Sequence, residues 1–393
     1  MSQPIAEQHL NASVRLQTEV LEPMKREFIG KDEVIDLLGV CLVGGENLFI
    51  LGPPGTAKSA LVHSLSRRLH GETFIYLLTR FTEPNELFGP FDIRRLREGE
   101  LTTNTAGMLS EASLVFLDEL LNANSAILNS LLTALNERVL HRGHERIPVQ
   151  ALFFAGASNH LPEEDALQAL FDRFLLRVPC DYVAPEQLMQ VLEAGWRFET
   201  PRAEEPAVTF ADIRELQKLL PQVSLAAVRQ EYAELIRRIR QAGISVSDRR
   251  AVKLQRVMAA SALLCGRAEA HLSDLWVLRY IWDTVEQQET LRALVQDVIG
   301  AEPAQAESGL RHVQADSHGL PNPEALARDA AWIEEQARTG TSAALQALLR
   351  DRLAVLDGRT QWIQDTEQRE YLAAKIQEIW PLLDHATAAV LPT

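Results

Sequence analysis

The chain has 393 residues, 46% hydrophobic and 24% charged, an ordinary globular mix, and at ~150 residues per domain it has room for two or three domains. A formal net charge of −15 and a pI near 5.2 disfavour nucleic acid as the main partner, although a basic pore can sit inside an acidic ring. No apolar run approaches the ~18 residues of a membrane span, the opening MSQPIAEQHLNASVRL lacks a secretion-signal layout, and three scattered cysteines (Cys41, Cys180, Cys265) read as buried thiols in a reducing cytoplasm.

Residues 1–45 read as helical, interrupted at Phe28-Ile29-Gly30, with Val34, Leu37, Leu38 and Cys41 resuming on one face. Five β-like runs follow, at Asn47–Leu51, Thr73–Leu78, Ser113–Asp118, Ala151–Ser158 and Phe174–Val178. Helical patterns such as Ala60–Leu69 and Ser125–Glu137 lie between them, so the alternation predicts a parallel sheet covered on both faces. At Tyr182–Pro185 the character changes, and 186–299 reads as helical, broken at FETPRAEEPAV and at Gly243. The turn-rich stretch Gly300–Pro323 reads as a linker. Glu324–Leu391 reads as two or three amphipathic helices, with Leu372, Ile376, Ile379 and Leu383 on one face and Gly340 and Gly358 as stops. The expected domains are 1–183 (N-terminal helix plus sheet core), 184–299 (helical), 300–322 (linker) and 323–393 (helical).

Three strand tips carry chemistry. LGPPGTAKSA, Leu51–Ala60, nearly matches G-x-x-x-x-G-K-[ST], with Ala57 where glycine is usual. It follows an apolar strand and enters a helix, which is the context that a phosphate-gripping loop requires. Backbone N–H groups and the helix N-terminus would face the phosphates. Lys58 would reach the β- and γ-phosphates and Ser59 would hold Mg²⁺. Gly52 and Gly55 are available for left-handed dihedrals, whereas Ala57, at the helix entry, is expected in the right-handed region that suits alanine. SLVFLDEL places Asp118 and Glu119 at the carboxyl end of the next parallel strand, one to hold Mg²⁺ through water, the other to polarise an attacking water. FFAGASNH ends in Ser158-Asn159; alone, Asn159 is a turn residue, but beside the other two tips it is placed to orient that water.

Taken in order, GPPGTAKS, LVFLDE, GASN, FDRF and VSDRR resemble the MoxR branch of AAA+ ATPases, where alanine before the lysine is habitual. LLTRFTEPNELFGPFDI, AILNSLLTALNER and YIWDTVEQQETL are similar to the RavA-type subfamily, and the likeness runs from about Glu27 to Leu291. The resemblance implies an α/β fold: a AAA+ P-loop NTPase core (five-stranded parallel sheet, αβα sandwich), an all-helical lid and additional C-terminal helices. It implies ATP and Mg²⁺ as cofactors. The nucleotide-binding set would be Ile29 and Gly30 together with Gly52, Pro53, Pro54, Gly55, Thr56, Ala57, Lys58, Ser59 and Ala60, and the metal set Ser59 and Asp118. Lys58, Glu119, Asn159, Arg173 and Arg249 would be catalytic. Arg173 looks like the arginine finger offered to the neighbouring subunit's γ-phosphate, with Arg177 the competing assignment. Arg249 looks like the sensor-2 arginine, reaching from the lid to the bound nucleotide, with Arg250 one position away; Ser247 is a good N-cap for the helix beginning near Asp248.

TEPNELFGPFDI resembles the family's helix-2 insert and LHRGHERIP its hairpin before the sensor-1 strand, with Gly143 at the turn. Both inserts would protrude towards a central pore and touch clients. His141 and His144 read as a polar hairpin tip rather than a metal pair. Leu120-Leu121-Asn122 stands where many members carry Ile-Asn-Arg, so no role for that arginine carries over, and the last hundred residues show no match to the subfamily's β-rich insertion. The resemblance implies a cytoplasmic, chaperone-like ATPase that self-assembles into a ring, expected as a hexamer, and remodels client proteins with a von Willebrand factor A domain partner. Two other readings stay open: a nucleic-acid motor, and a nucleotide-switched scaffold without turnover. Acidity weighs against the first; Glu119 and Arg173 weigh against the second.

Overall fold

The computed structural model describes residues 12–97, 102–142, 145–198, 208–300, 311–315, 323–338, 343–360 and 366–384. A helical N-terminal stretch (a π-helical turn Leu16–Leu21, then α1, Glu22–Glu27) precedes α2 (Asp32–Gly44) and β1 (Leu48–Leu51). The glycine-rich loop joins β1 to α3 (Lys58–Arg68). Then come β2 (Thr73–Leu77), β3 (Leu114–Asp118), α4 (Ser125–Glu137), the hairpin β4–β5 (Val139–Arg142 and Glu145–Pro148), β6 (Phe153–Ser158), α5 (Asp165–Phe171) and β7 (Leu176–Pro179).

The main sheet has five strands in the order β2-β3-β6-β1-β7, all paired in parallel. Its inner strands are apolar throughout because both faces are covered, and β6 is buried at every position. Four of these strands fall within the runs predicted from sequence, and β7 overruns the fifth, Phe174–Val178, by one residue, Pro179. The register sets Leu51 beside Ser158 and Pro179, and Leu77 beside Asp118. The carboxyl ends of β1, β3 and β6 therefore share one edge, where open α/β sheets bind ligands.

One backbone expectation is corrected. Ala57 does not adopt right-handed dihedrals: it has φ 69° and ψ 18°, and the helix starts one residue later, at Lys58. Gly55 also has positive φ, at 81°. The alternation of hands turns successive N–H groups to one side of the loop, and this anion-cradling geometry overrides alanine's own preference by about 1–2 kcal/mol.

The helical domain comprises α6 (Leu188–Phe198), α7 (Phe210–Leu219), α8 (Arg229–Gln241), α9 (Asp248–Leu264), a 3₁₀ run Leu272–Tyr280 and α10 (Gln287–Gly300). Ser247 caps α9, accepting the Arg250 backbone N–H at 3.2 Å, and Gly243, with φ 83°, ends α8 as the sequence suggested. One continuous apolar core joins this domain to the sheet, with α9 packed along α2. Arg177 of β7 crosses the junction, donating to the Trp282 carbonyl at 3.0 Å and pairing with Asp283 at 2.9 Å. Burial, with Arg250 nearby, pushes its pKa down to about 9, so it stays charged at neutral pH.

Within the stretch that reads as a linker, residues 311–315 are fastened down. The Gln314 amide donates to Asp36 of α2 at 2.7 Å, Arg279 donates to the Gln314 and Ala315 carbonyls at 2.6 and 2.8 Å, and His312 stacks on Trp276. The C-terminal helices α11 (Pro323–Arg338), α12 (Ala343–Thr360) and α13 (Thr366–Asp384) bury their own core, which includes all four residues of the predicted stripe, Leu372, Ile376, Ile379 and Leu383. Gly358 is not a stop: α12 continues through it to Thr360, whose hydroxyl donates to the Leu356 carbonyl, while Gly340 lies outside the described residues.

Two stability changes are expected. Ala57→Gly relieves the left-handed strain and, net of unfolded-state entropy, raises unfolding free energy by roughly 0.5–1 kcal/mol, measured by denaturant titration. Arg279→Met leaves two buried carbonyls without donors and lowers stability by roughly 2–4 kcal/mol, with faster hydrogen exchange at 311–315 as the local signature.

Candidate active site

The loop Gly52–Ala57 is shaped by contacts behind it. A Cβ on Gly52 would lie 2.1 Å from the Cys180 carbonyl oxygen, so the chain requires glycine there. A Cβ on Gly55 would meet nothing within 4 Å, because that position faces the open side of the cradle. Thr56 is buried and donates to the Pro53 carbonyl at 2.9 Å, while Ala60 continues α3. Lys58 is buried too, and its Nζ caps the loop from within, donating to the carbonyls of Gly52 (2.7 Å) and Pro53 (3.0 Å).

The other strand tips converge on it. The Ser59 hydroxyl donates to Asp118 Oδ2 at 2.5 Å, joining the first turn of α3 to the end of β3. Glu119, the next residue, has φ 50° and ψ 42°, and its Oε2 is buried without a hydrogen-bond partner. A buried carboxylate oxygen left unsatisfied costs about 1–3 kcal/mol or more, and it marks a place prepared for a water or ion. Asn159 is exposed at the end of β6, its Oδ1 2.6 Å from His160 Nδ1. The structure thus brings Lys58, Ser59, Asp118, Glu119 and Asn159 to one edge. A hydroxyl beside a carboxylate fits magnesium, which takes one or two protein oxygens and fills its remaining positions with phosphate and water.

Ile29 and Gly30 form the turn before α2. Gly30 has φ 70°, and a Cβ there would sit 2.9 Å from Gln187 Oε1 and 3.2 Å from Val183, so this turn packs against the segment after β7. Two residues that sequence reasoning missed tie that segment in. Tyr182, largely exposed, donates its hydroxyl to the Pro54 carbonyl at 3.0 Å, and Lys31 donates to the Asp181 carbonyl. The only signal for Tyr182 was its position at the break between domains.

The arginines are elsewhere. Arg173 precedes β7, at the amino end of the sheet; its carbonyl accepts from Asn47, the residue before β1, at 3.1 Å. Arg249 is exposed on α9 and bonded to Asn136, near the carboxyl end of α4, at that same end of the sheet. Neither reaches its own phosphate loop. The resemblance implies that Arg249 reaches from the lid to the bound nucleotide; in this structure it bonds Asn136 instead. The physical reason is where the lid sits: α9 is fixed along α2 by the shared core. The competing arginines are structural, since Arg177 is fully buried and Arg250 pairs with Asp283 and donates to the Ile281 carbonyl.

The two inserts pack together. A short helix Pro84–Phe88, closed by a Glu83/Glu86 capping box, sits near the β4–β5 hairpin. Arg142 lies 4.2 Å over the Phe91 ring and bonds Asn85 and Gly89, and Thr103 donates to Glu145 at 2.8 Å. Gly143 and His144, expected at the hairpin turn, lie outside the described residues. Leu121 is buried, which accounts for an apolar residue where the family pattern has asparagine.

Comparison with known proteins accords with this arrangement. Residues 14–218 match the family model described as the MoxR domain in the MoxR-vWA-beta-propeller ternary systems, and residues 223–295 match a AAA lid domain. The uncharacterized protein MJ0079 of Methanocaldococcus jannaschii is 33% identical over 285 residues, covering 71% of this chain and 73% of the relative. The chaperone MoxR1 of Mycobacterium tuberculosis is 24% identical over 215 residues, covering 53% of this chain and 55% of its own length. A solved structure from Cytophaga hutchinsonii, named as a "putative ATPase", shares the fold with a TM-score of 0.61 at 19% identity, over 75% of this chain and 96% of that one. With the family model spanning more than half of the chain, and with its strand tips and lid in place, the protein belongs to the MoxR family of AAA+ ATPases.

Proposed function

We propose that this protein is a magnesium-dependent ATPase of the RavA type that hydrolyses ATP at the seam between adjacent copies of itself in a ring, most simply a hexamer. The observation that carries the proposal is the division of charge across the sheet. Lys58, Ser59, Asp118, Glu119 and Asn159 lie at its carboxyl edge, whereas Arg173 and Arg249 lie at its amino edge. Strand β1, four residues long, separates the two by roughly 13 Å, beyond the reach of one side chain. A γ-phosphate held by Lys58 meets Arg173 or Arg249 only if another copy supplies it.

In that seam the loop N–H groups and Lys58 hold the β- and γ-phosphates. Ser59 and Asp118 would hold Mg²⁺, which would supply positive charge to offset that of the phosphates. Glu119 accepts a hydrogen bond from the attacking water, and Asn159 fixes that water against the γ-phosphorus. Water forms the new P–O bond as the bond to ADP breaks, leaving ADP and phosphate. Arg173 of the adjoining copy neutralises charge on the transferring group, and Arg249, on the same edge, reaches the same neighbouring nucleotide. Ile29, Gly30 and Tyr182 border the nucleoside end.

The family's description as part of MoxR–vWA systems supports a von Willebrand factor A domain protein as partner, and the name of the mycobacterial relative supports remodelling of client proteins. The packed inserts are the surface proposed to engage clients. Among the described residues no helix is long and apolar enough to cross a membrane, and the proposed site of action is the cytoplasm.

Arg173→Ala is expected to lower kcat by about 10³-fold or more while the Kd for ATP stays within about twofold. Glu119→Gln is expected to abolish turnover while ATP is retained, seen as a filter-bound nucleotide complex that no longer releases phosphate. Wild-type turnover in either variant would contradict the assignment of that residue.

A further inference from the structure

We infer that Asn47 and Arg138 are positioning residues that fix Arg173 at the edge offered to the neighbouring copy; this rests on the reading of Arg173 as the arginine supplied across the seam. Asn47 is buried, 2% exposed, and both ends of its amide are bonded. Nδ2 donates to the Arg173 carbonyl at 3.1 Å, and Oδ1 accepts from Arg138 Nη2 at 3.0 Å. The Arg173 backbone N–H donates to the Leu170 carbonyl at 3.0 Å, so both polar backbone groups of the finger residue are held. The Asn47 carbonyl accepts from Leu175 N at 3.0 Å, pinning the same turn from its other side.

Arg138 gives this arrangement its polarity. An amide can turn over and exchange its donor and acceptor ends, but a guanidinium only donates. Arg138 therefore forces Oδ1 towards itself and the NH₂ group towards Arg173. Arg138 is held in turn: its guanidinium lies 4.6 Å over the Phe154 ring, and its backbone occupies the left-handed region at φ 56°, closing α4. Burial lowers its pKa to about 10, with Glu46 opposing the shift, so it remains a cation at neutral pH. Two residues earlier on the same helix end, Asn136 holds Arg249. The carboxyl end of α4 thus registers both arginines, one directly and one through Asn47. The same helix starts at Asn124, five residues after Glu119, and Asn124 caps it by accepting from Ile127 N at 3.1 Å.

The test uses full-length chains. Asn47→Asp keeps the side chain's size and its pairing with Arg138 but sets an oxygen, not a donor, against the Arg173 carbonyl. Arg138→Met keeps the buried volume and frees the amide to turn over, which gives a second variant should the first fold poorly. For each, kcat, KM and the Kd of a fluorescent ATP analogue are measured alone and after mixing with an excess of Glu119→Gln chains, which are inert but carry an intact Arg173. The expected result is a loss of about tenfold or more in kcat with Kd changed less than about twofold. Most of that loss should be regained on mixing, because the variant's own phosphate loop then faces a well-held Arg173. A merely structural defect would weaken nucleotide binding and would not be rescued. Turnover within about twofold of wild type, or a loss that mixing does not restore, overturns the inference. Arg173→Ala mixed in the same way separates the two levels. If it is rescued and Asn47→Asp is not, only the positioning role falls; if Arg173→Ala keeps full activity alone, the trans-arginine reading falls with it.

Discussion

The structure depends on the parallel strands of one sheet, which have two chemically different ends. Loops after the strands supply N–H groups, a lysine and carboxylates, and loops before them supply arginines. Because β1 is straight and buried, with Leu48, Phe49 and Ile50 fully enclosed, the two ends cannot approach one another within a chain. Arg173 and Arg249 are thereby kept away from the phosphate loop of their own chain. On the proposed reading, this separation makes a complete site a property of two copies rather than one.

Backbone strain is concentrated where this division is set up. Among the described residues, positive φ outside glycine occurs at Ala57, Glu119 and Arg138. The first lies in the glycine-rich loop, the second carries a buried, unpartnered carboxylate oxygen, and the third bonds Asn47 behind Arg173. Each costs of order 1–3 kcal/mol and persists because packing around it leaves no alternative. Phe154 under Arg138 and the buried body of β3 leading into Glu119 supply that packing. The lid is tied to the sheet by buried polar groups as well as by the shared core: Arg177 and Arg250 converge on Asp283, and Gln314 reaches Asp36. Sheet and lid of one chain thus share one core and a set of ion pairs made by buried arginines.

Much of this was legible in the sequence because it is local. Strands buried on both faces are continuously apolar, and a glycine-rich loop between strand and helix has one main use. Asp118-Glu119 and Ser158-Asn159 gained meaning only as strand tips sharing an edge, which the alternation of elements supplied. What stayed hidden is non-local. Asn47 bonds partners 91 and 126 positions away, and no spacing rule singles it out. Tyr182 reaches a carbonyl 128 residues earlier without any motif around it. The hand of Ala57 was misjudged because helix preference was weighed and the demand of the anion cradle was not. The direction of Arg249 could not be read from a helix sequence that is silent about which end of the sheet the helix meets.

The central claim is that catalysis resides between chains. Specific ATPase activity measured against chain concentration, with sedimentation on the same magnesium- and ATP-containing samples, tests it directly. Activity per chain should vanish as the assembly dissociates and should track the assembled fraction. A fully dissociated chain that turns over ATP at the undiminished rate would contradict the account.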